Sequence, residues 1–161
     1  LGAKKSAAHW ASYLVKQGNV DPKTSTQIGI RGNPRTLDWL QASYDIGYQV
    51  ITMDEYKELG HEKCSKMILD RLGDNPIYIT FDLDCLDATV APGVANIESA
   101  FRGFNIDEAR KLIQSLKGKN IIGGDVACLM PTKDNPNQIT SMVAAAIMFE
   151  IICLISLNLK R

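Results

Sequence analysis

Apolar, β-branched runs alternate with helical stretches along most of the 161-residue chain, and this alternation restricts the possible folds more than any other feature. Four runs predict short strands, at 25–32, 48–53, 75–84 and 120–130. Residues with helical spacing follow each of them, and the predicted helices cover 35–47, 62–72, 105–118 and 136–157. Apolar strands that alternate with helices indicate an α/β fold with a mainly parallel sheet.

Local residues predict where several of these helices begin and which faces they bury. Asn105 and Glu108 form a capping-box pattern at the start of the third predicted helix. Asn135 is the expected N-cap of the last helix, with Pro136 in its first turn. The first predicted helix places on one face Leu37, Leu40 and Tyr44. The second places on one face Cys64, Met67, Ile68 and Leu72.

The apolar segment 139–157 is long enough to cross a membrane. Glu150 lies near its middle, and several of its residues are small or polar. A helix that is apolar on nearly all sides is typical of the interior of a large fold, so we expect a core helix and no membrane span. The first ten residues lack the apolar core of a signal peptide.

Charge and cysteine content exclude several functions. Eighteen basic residues balance eighteen acidic ones, so no overall field favours nucleic acid or an anionic membrane. The four cysteines are widely spaced and form no C-x-x-C pair, which favours reduced thiols and a cytoplasmic protein. The length fits one domain, and we expect it to cover 1–161.

Carboxylates concentrate where the third strand ends, in the stretch "ITFDLDCLDATVAPG". Asp82 and Asp84 are two residues apart, so in a strand both carboxylates would lie on one face, about 6–7 Å apart. Unpaired, they would repel and raise each other's pKa. A hard divalent cation removes this conflict; a polar loop facing water is the alternative. Ligands of parallel α/β sheets bind beyond the carboxyl ends of the strands, which favours a metal site.

Three segments resemble the ureohydrolase family, which includes arginase and agmatinase. "FDLDCLDATVAPG" is similar to that family's S-F-D-x-D-x-x-D-P-x-x-A-P-G, and "NIIGGDVACLMPTKD" to its N-I-V-G-x-D-V-V-E-V-x-P-x-x-D. "VDPKTSTQIGIRG" looks like the segment before a central strand of agmatinase-like members. The resemblance extends over nearly all of the chain.

The resemblance implies a fold, a cofactor and a reaction. The fold would be the three-layer αβα arginase-like architecture, of which this chain is the carboxyl-terminal part. Asp82 and Asp84 would help to hold a dinuclear manganese centre, with nickel as the other option. That centre would activate water for attack on a guanidino or amidino carbon, breaking a linear C–N bond and releasing urea. Family members often form trimers or hexamers, so we expect a homo-oligomer.

The chain departs from the family at several site positions. The Gly-Gly-Asp-His and Asp-x-His-x-Asp motifs that supply the family's other ligands are absent, so the isolated chain is not expected to hold a complete centre. Cys128 stands where the family places a glutamate that pairs with the substrate guanidinium, a contact that a neutral thiol does not reproduce. Either Cys128 contacts a different substrate or packs in the core, or Glu98, in the loop after A-P-G, supplies the substrate-binding carboxylate.

Neither histidine of the chain lies in one of the ureohydrolase family's histidine motifs. "SAAHW" replaces a family S-H-G-x-P, which puts Ala7 at the usual histidine position and His9 two residues later. His9 is a candidate proton shuttle from this shifted place, with an ordinary surface histidine as the alternative. His61, at the start of a predicted helix, is interpreted as structural.

Two other functions stay open at this stage. "FDLDCLD" and "GGDVACLMPTKD" imitate the D-x-D and later acidic motifs of haloacid-dehalogenase-like phosphatases. A catalytically inactive ureohydrolase relative with a binding or assembly role would also explain Cys128 and the missing ligands. Tight manganese binding is expected of an active ureohydrolase and not of the inactive relative. Magnesium-dependent phosphatase activity would identify a haloacid-dehalogenase-like phosphatase.

Overall fold

A computed structural model of the protein describes residues 9–32, 36–98 and 102–159. Its strands are β1 (Thr26–Ile30), β2 (Gln49–Thr52), β3 (Ile77–Asp82) and β4 (Ile121–Ala127). Its helices are α1 (Trp10–Lys16), α2 (Gln41–Ile46), α3 (Met53–Leu59), α4 (His61–Leu72), α5 (Ile106–Gln114) and α6 (Ile139–Asn158). Strands and helices alternate, which confirms the predicted α/β class.

All strand pairing between these elements is parallel. β1 pairs with β2, and β3 pairs with β4 from Ile77 opposite Ile121 to Asp82 opposite Ala127. Parallel strands end at the same edge of a sheet, so the chain segments that follow Asp82 and Ala127 begin side by side. This register positions the candidate site.

The two faces of the β3–β4 pair differ in what covers them. A Cβ atom added at Gly124 would lie 2.8 Å from the Ile151 side chain, so α6 packs directly against β4 on that side. One added at Gly123 would meet the ring of Tyr78, which is 58% exposed on the other side. The α6 stripe that faces the core consists of Thr140, Ala144, Ile147, Ile151 and Leu154.

By length and composition, α6 is the one helix among the described residues that could cross a membrane. In the structure it packs against α5 and β4 along its buried stripe. The opposite side is open to solvent, with Met142 67% and Phe149 66% exposed. The expectation that this helix is enclosed on nearly all sides is therefore wrong for the described residues, since the elements present cover only one face.

The first predicted helix is shorter than its pattern suggested. α2 begins at Gln41, and residues 37–40 form a turn before it; the predicted start, Arg35, lies outside the described residues. Leu37 is fully exposed and Tyr44 is nearly half exposed, so the apolar spacing did not mark a buried face. Gly47, with φ 108°, ends the helix as expected.

Of the helix starts, the predicted cap of α5 is confirmed, α3 was not predicted, and the predicted cap of α6 is wrong. Asn105 and Glu108 form the predicted capping box of α5. α3 was not predicted from the sequence, although Thr52 and Glu55 form the same capping-box motif there. The predicted N-cap of α6 is wrong: the helix begins at Ile139, after the left-handed Gln138, so Asn135 and Pro136 precede it.

Candidate metal and substrate site

Asp82 and Asp84 lie where β3 turns into a short 3₁₀ segment, Leu83–Cys85. The Asp82 carboxylate accepts a hydrogen bond of 2.9 Å from the backbone N–H of Asp84. This Asx-type turn keeps Asp84 close to the strand end. The two carboxylates thereby occupy the carboxyl edge of the sheet, where the sequence placed them.

Cys128 joins the two aspartates from the neighbouring strand. It follows β4 directly, with a left-handed φ of 67°, and its carbonyl oxygen accepts a 2.9 Å hydrogen bond from the N–H of Ala95. One ligand atom each from Asp82, Asp84 and Cys128 lies within 4.8 Å of the other two. Among the described residues, this is the only group of three or more acidic, histidine or cysteine side chains close enough to share a metal ion.

Negative charge and partial burial perturb this group. Burial, followed by the charge of Asp82, raises the pKa of Asp84, and the more distant Glu98 adds to the effect. Burial and the hydrogen bond with Asp82 raise the pKa of the Cys128 thiol to about 12. Both shifts have the direction expected for partly buried acidic groups that lie close together.

Arg31 fixes the turn that carries the aspartates. From the end of β1, its guanidinium donates to the carbonyl oxygens of Asp84, at 3.1 Å, and Leu86, at 2.7 Å. Arg31 was not among the site residues predicted from the sequence. An arginine after a strand is too common to be a signal, and its partners lie more than fifty residues further along the chain.

The third aspartate of the segment, Asp87, has a structural role. One carboxylate oxygen accepts from the N–H and hydroxyl of Thr89, and the other from the N–H groups of Arg102 and Gly103. The hydroxyl of Thr89 contributes most to lowering the pKa of Asp87, to about 2. With both oxygens occupied by the protein, Asp87 ties the ends of the following loop together.

The A-P-G turn connects the site to the last helix. The N–H of Gly93 donates to the buried hydroxyl of Thr140 at 2.9 Å. The carbonyl oxygen of Gly93 accepts from the N–H of Met130 at 2.8 Å. A Cβ atom added at Gly93 would lie 2.8 Å from the backbone of Asp134, so no larger residue fits. The turn therefore holds the loop after β4, and with it Cys128, in place.

Glu98 lies at the rim of the site. Its carboxylate rests against Gly32, where an added Cβ atom would lie 2.2 Å from Oε2. Its charge acts on Asp84, but it does not belong to the three-residue ligand group. A substrate cation held by Glu98 would thus lie beside the group rather than inside it.

The structure does not bring the histidines into this group. His9 is exposed at the N-terminal end of α1. The ring of His61, at the start of α4, lies 3.5 Å from the Tyr56 hydroxyl and 3.4 Å from that of Ser65, in keeping with a structural role. Ala7, the aligned family position, lies outside the described residues.

The donor chemistry of this group fits a divalent metal. Two carboxylates and a thiol converge, and each offers an electron pair to a cation once it is deprotonated. Three protein ligands leave coordination positions open for water or substrate, as in catalytic sites. Cys128 thus lies beside Asp82 and Asp84 and outside the hydrophobic core, in which the structure places Cys64.

Comparison with known proteins identifies the family. The model of the Arginase family matches residues 1–154. A guanidinopropionase from Pseudomonas aeruginosa is 34% identical over 147 residues, which are 91% of this chain and 45% of that protein. An agmatinase from Escherichia coli is 34% identical over 85% of this chain and 41% of its own length. The chain belongs to the arginase family, and it spans less than half the length of these relatives.

Solved structures agree on the fold. The proclavaminate amidino hydrolase from Streptomyces clavuligerus superposes with a TM-score of 0.82 at 29% identity, over 92% of this chain and 47% of that one. The arginase from Bacillus caldovelox superposes with a TM-score of 0.72 at 24% identity, over 83% and 44%. The predicted arginase-like fold is therefore confirmed, and the chain accounts for about half of it.

Proposed function

We propose that this chain carries part of the active site of a metal-dependent hydrolase that cleaves a linear C–N bond in a guanidino or amidino compound and releases urea. One observation carries the proposal: in a chain of the arginase family, Asp82, Asp84 and Cys128 present their ligand atoms together at the carboxyl edge of the sheet. The names of the relatives, guanidinopropionase and agmatinase, support this substrate class.

In this proposal the residues of the chain have separate tasks. Asp82 and Asp84 hold the metal, while Arg31 and the turn at Asp84 keep the two carboxylates at the strand end. Glu98 pairs with the cationic guanidinium from the rim, where a charge-assisted contact is stronger than one between neutral groups. His9 remains a predicted proton-transfer group.

A bound divalent metal supplies the activation of water for attack on the substrate carbon. The family resemblance predicts manganese, with nickel as the other option, in a dinuclear centre. Two aspartates and one cysteine are fewer ligands than two ions require. We therefore propose that the complete centre also needs ligands from a longer parent protein.

Metal content of purified protein tests the proposal. After incubation with manganese and removal of free metal, mass spectrometry should find bound metal in the wild type and little in the double variant Asp82→Asn with Asp84→Asn. Asp87→Asn is the matched control, because this aspartate belongs to the same segment but is occupied by backbone and threonine donors. Equal metal content in the wild type and the double variant would contradict the assignment of ligands.

A catalytically inactive relative with a binding or assembly role is the second candidate. Cys128 in place of the expected glutamate favours it, since a neutral thiol forms no ion pair with a guanidinium. Urea release from guanidino compounds, assayed in a protein that includes the missing half of the family domain, distinguishes the two. Absence of both tight manganese binding and urea release in that protein would support the inactive relative.

We further propose a homo-oligomer, a trimer or hexamer by family resemblance, located in the cytoplasm. The exposed apolar side of α6 supports association. Four cysteines that form no disulfide support a reducing compartment. Neither nucleic acid nor a membrane is an expected partner.

A further inference from the structure

We propose that Cys128 is a direct ligand of the metal held by Asp82 and Asp84, and that its sulfur makes this site select Zn²⁺ over Mn²⁺. The inference rests on the proposed function, because it concerns the metal centre of the same site. It assigns to Cys128 a role that differs from both substrate contact and core packing.

The placement of the sulfur follows from the strand register. Asp82 ends β3 opposite Ala127 of β4, so the next residue, Cys128, emerges beside the Asp82 carboxylate. Zinc bonds sulfur at about 2.3 Å and carboxylate oxygen at about 2.0–2.2 Å, so two donors on one tetrahedral ion lie about 3.4–3.6 Å apart. The three ligand atoms lie within 4.8 Å of one another. Binding would draw the ligand atoms together by up to about 1.3 Å, chiefly through rotation of the exposed Asp82 side chain.

The chemistry of the donors then decides which metal is preferred. Carboxylate oxygens alone suit hard cations such as Mn²⁺, whereas a thiolate favours softer ions, and Zn²⁺ also lies above Mn²⁺ in the general order of affinities. As the Zn–S bond forms, the Sγ–H proton leaves to solvent. Two carboxylates and one thiolate leave an open position on a tetrahedral ion, the arrangement of catalytic rather than structural zinc sites.

The other cysteines are internal controls for any metal–sulfur signal attributed to Cys128. Cys153 is also partly exposed but lies on α6, outside the ligand group. Cys64 is fully buried, and Cys85 packs against the hydrophobic core. A metal–sulfur signal that depends on Cys128 and not on Cys153 therefore reports this site.

Cobalt(II) titration of the purified chain provides the main test. A thiolate ligand gives Co²⁺ a charge-transfer band in the near ultraviolet, which carboxylates do not give. We expect the band in the wild type and in Cys153→Ser, and its loss in Cys128→Ser. Added Zn²⁺ should abolish the band, whereas excess Mn²⁺ should leave it. Zinc affinity should fall at least about 10–100-fold in Cys128→Ser, the range already seen for partners outside the ligand shell.

The same titration separates failure of this inference from failure of the proposed function. Bound cobalt without the band in the wild type would overturn the role of Cys128 and leave metal binding by the aspartates intact. Absence of any bound cobalt or manganese would overturn both proposals.

A measurement on the wild type alone tests the role of Cys128 even if the Cys128→Ser variant does not fold. Zn²⁺ should slow alkylation of Cys128 by iodoacetamide, as followed by peptide mass spectrometry, and leave the rate at Cys153 unchanged. Equal alkylation of Cys128 with and without Zn²⁺ would also overturn the inference.

Discussion

At the scale of single residues, Asp87 stabilises the loop around the site only while it is charged. Its carboxylate accepts four hydrogen bonds, from Thr89, Arg102 and Gly103, that hold its pKa at about 2. An aspartate in an unfolded chain has a pKa of about 3.9. Because the folded-state pKa is the lower one, the stabilisation is fully present above pH ~4 and is lost as the pH falls through ~2.

We therefore predict that Asp87→Asn lowers the free energy of unfolding by about 1–2 kcal/mol at neutral pH, allowing for the partial exposure of the group. The difference from the wild type should shrink as the pH falls from ~4 to ~2. Urea unfolding of the wild type and Asp87→Asn at a series of pH values measures this difference in unfolding free energy. Asp74→Asn is the control, since that side chain is fully exposed. A constant difference down to pH ~2 would contradict this account.

At the scale of elements, two adjacent glycines of β4 differ in what they face. A Cβ atom at Gly124 would lie 2.7 Å from the carbonyl oxygen of Ile79 and 2.8 Å from Ile151 of α6. At Gly123 it would lie 3.1 Å from the ring of Tyr78, which is exposed and can rotate away. We predict that Gly124→Ala lowers the free energy of unfolding by about 1–3 kcal/mol, because α6 must shift.

Gly123→Ala should change the free energy of unfolding by no more than about 0.5–1 kcal/mol, and it can be stabilising, because glycine is unfavourable in a strand. Urea unfolding of both variants at one pH makes the comparison. Equal losses in the two variants would show that α6 does not pack as closely on β4 as the structure places it.

The start of α6 depends on an aspartate four residues before its N-cap. Asp134 accepts from the N–H groups of Asn135, Thr140 and Ser141 and from the Ser141 hydroxyl. Burial alone would raise the pKa of Asp134, but these donors outweigh it and hold the pKa well below its usual range. We predict that Asp134→Ala lowers the free energy of unfolding, because the first N–H groups of α6 lose their acceptor.

The exposed Asn137→Ala, in the same loop, is the matched control for Asp134→Ala and should change the free energy of unfolding by less than about 0.5 kcal/mol. Thermal or urea unfolding measures both variants. A loss in Asn137→Ala as large as that in Asp134→Ala would refute the capping role.

These elements show which parts of the fold the sequence could predict. The capping box of α5 lies within four consecutive residues, so local pattern was sufficient. The cap of α6 is supplied across a loop, and the intervening left-handed Gln138 has no clear sequence signal. The turn before α2 carries apolar residues at helical spacing, and their exposure depends on tertiary packing that spacing does not encode.

At the scale of the whole molecule, the candidate site also has a part that local sequence predicts and a part that depends on long-range contacts. Asp82 and Asp84 were predictable because their motif is local and strand ends in parallel sheets bind ligands. Their proximity to Cys128 depends on the pairing of β3 with β4, which joins segments more than forty residues apart. The support from Arg31 depends on long-range contacts as well. The sequence analysis left the role of Cys128 open, because motif comparison alone does not give its distance from the aspartates.

The exposed side of α6 predicts how the molecule behaves in solution. Phe149 and Ile152 are more than half exposed on this side, and a contiguous apolar patch favours association between chains. We predict that the wild type sediments as larger species as its concentration rises, and that Phe149→Ser with Ile152→Ser remains smaller. Because both side chains face solvent, the free energy of unfolding of the double variant should change by less than about 1 kcal/mol.

Ile147→Ser with Ile151→Ser is the contrasting variant on the same helix. Both isoleucines are fully buried against the sheet, so this pair should lose several kcal/mol of unfolding free energy, about 2–5 kcal/mol for each side chain removed from the core. Sedimentation velocity and urea unfolding of both double variants separate surface association from core packing. If the Phe149 and Ile152 variant associates as strongly as the wild type, α6 does not form the contact, and the predicted oligomer must use another surface.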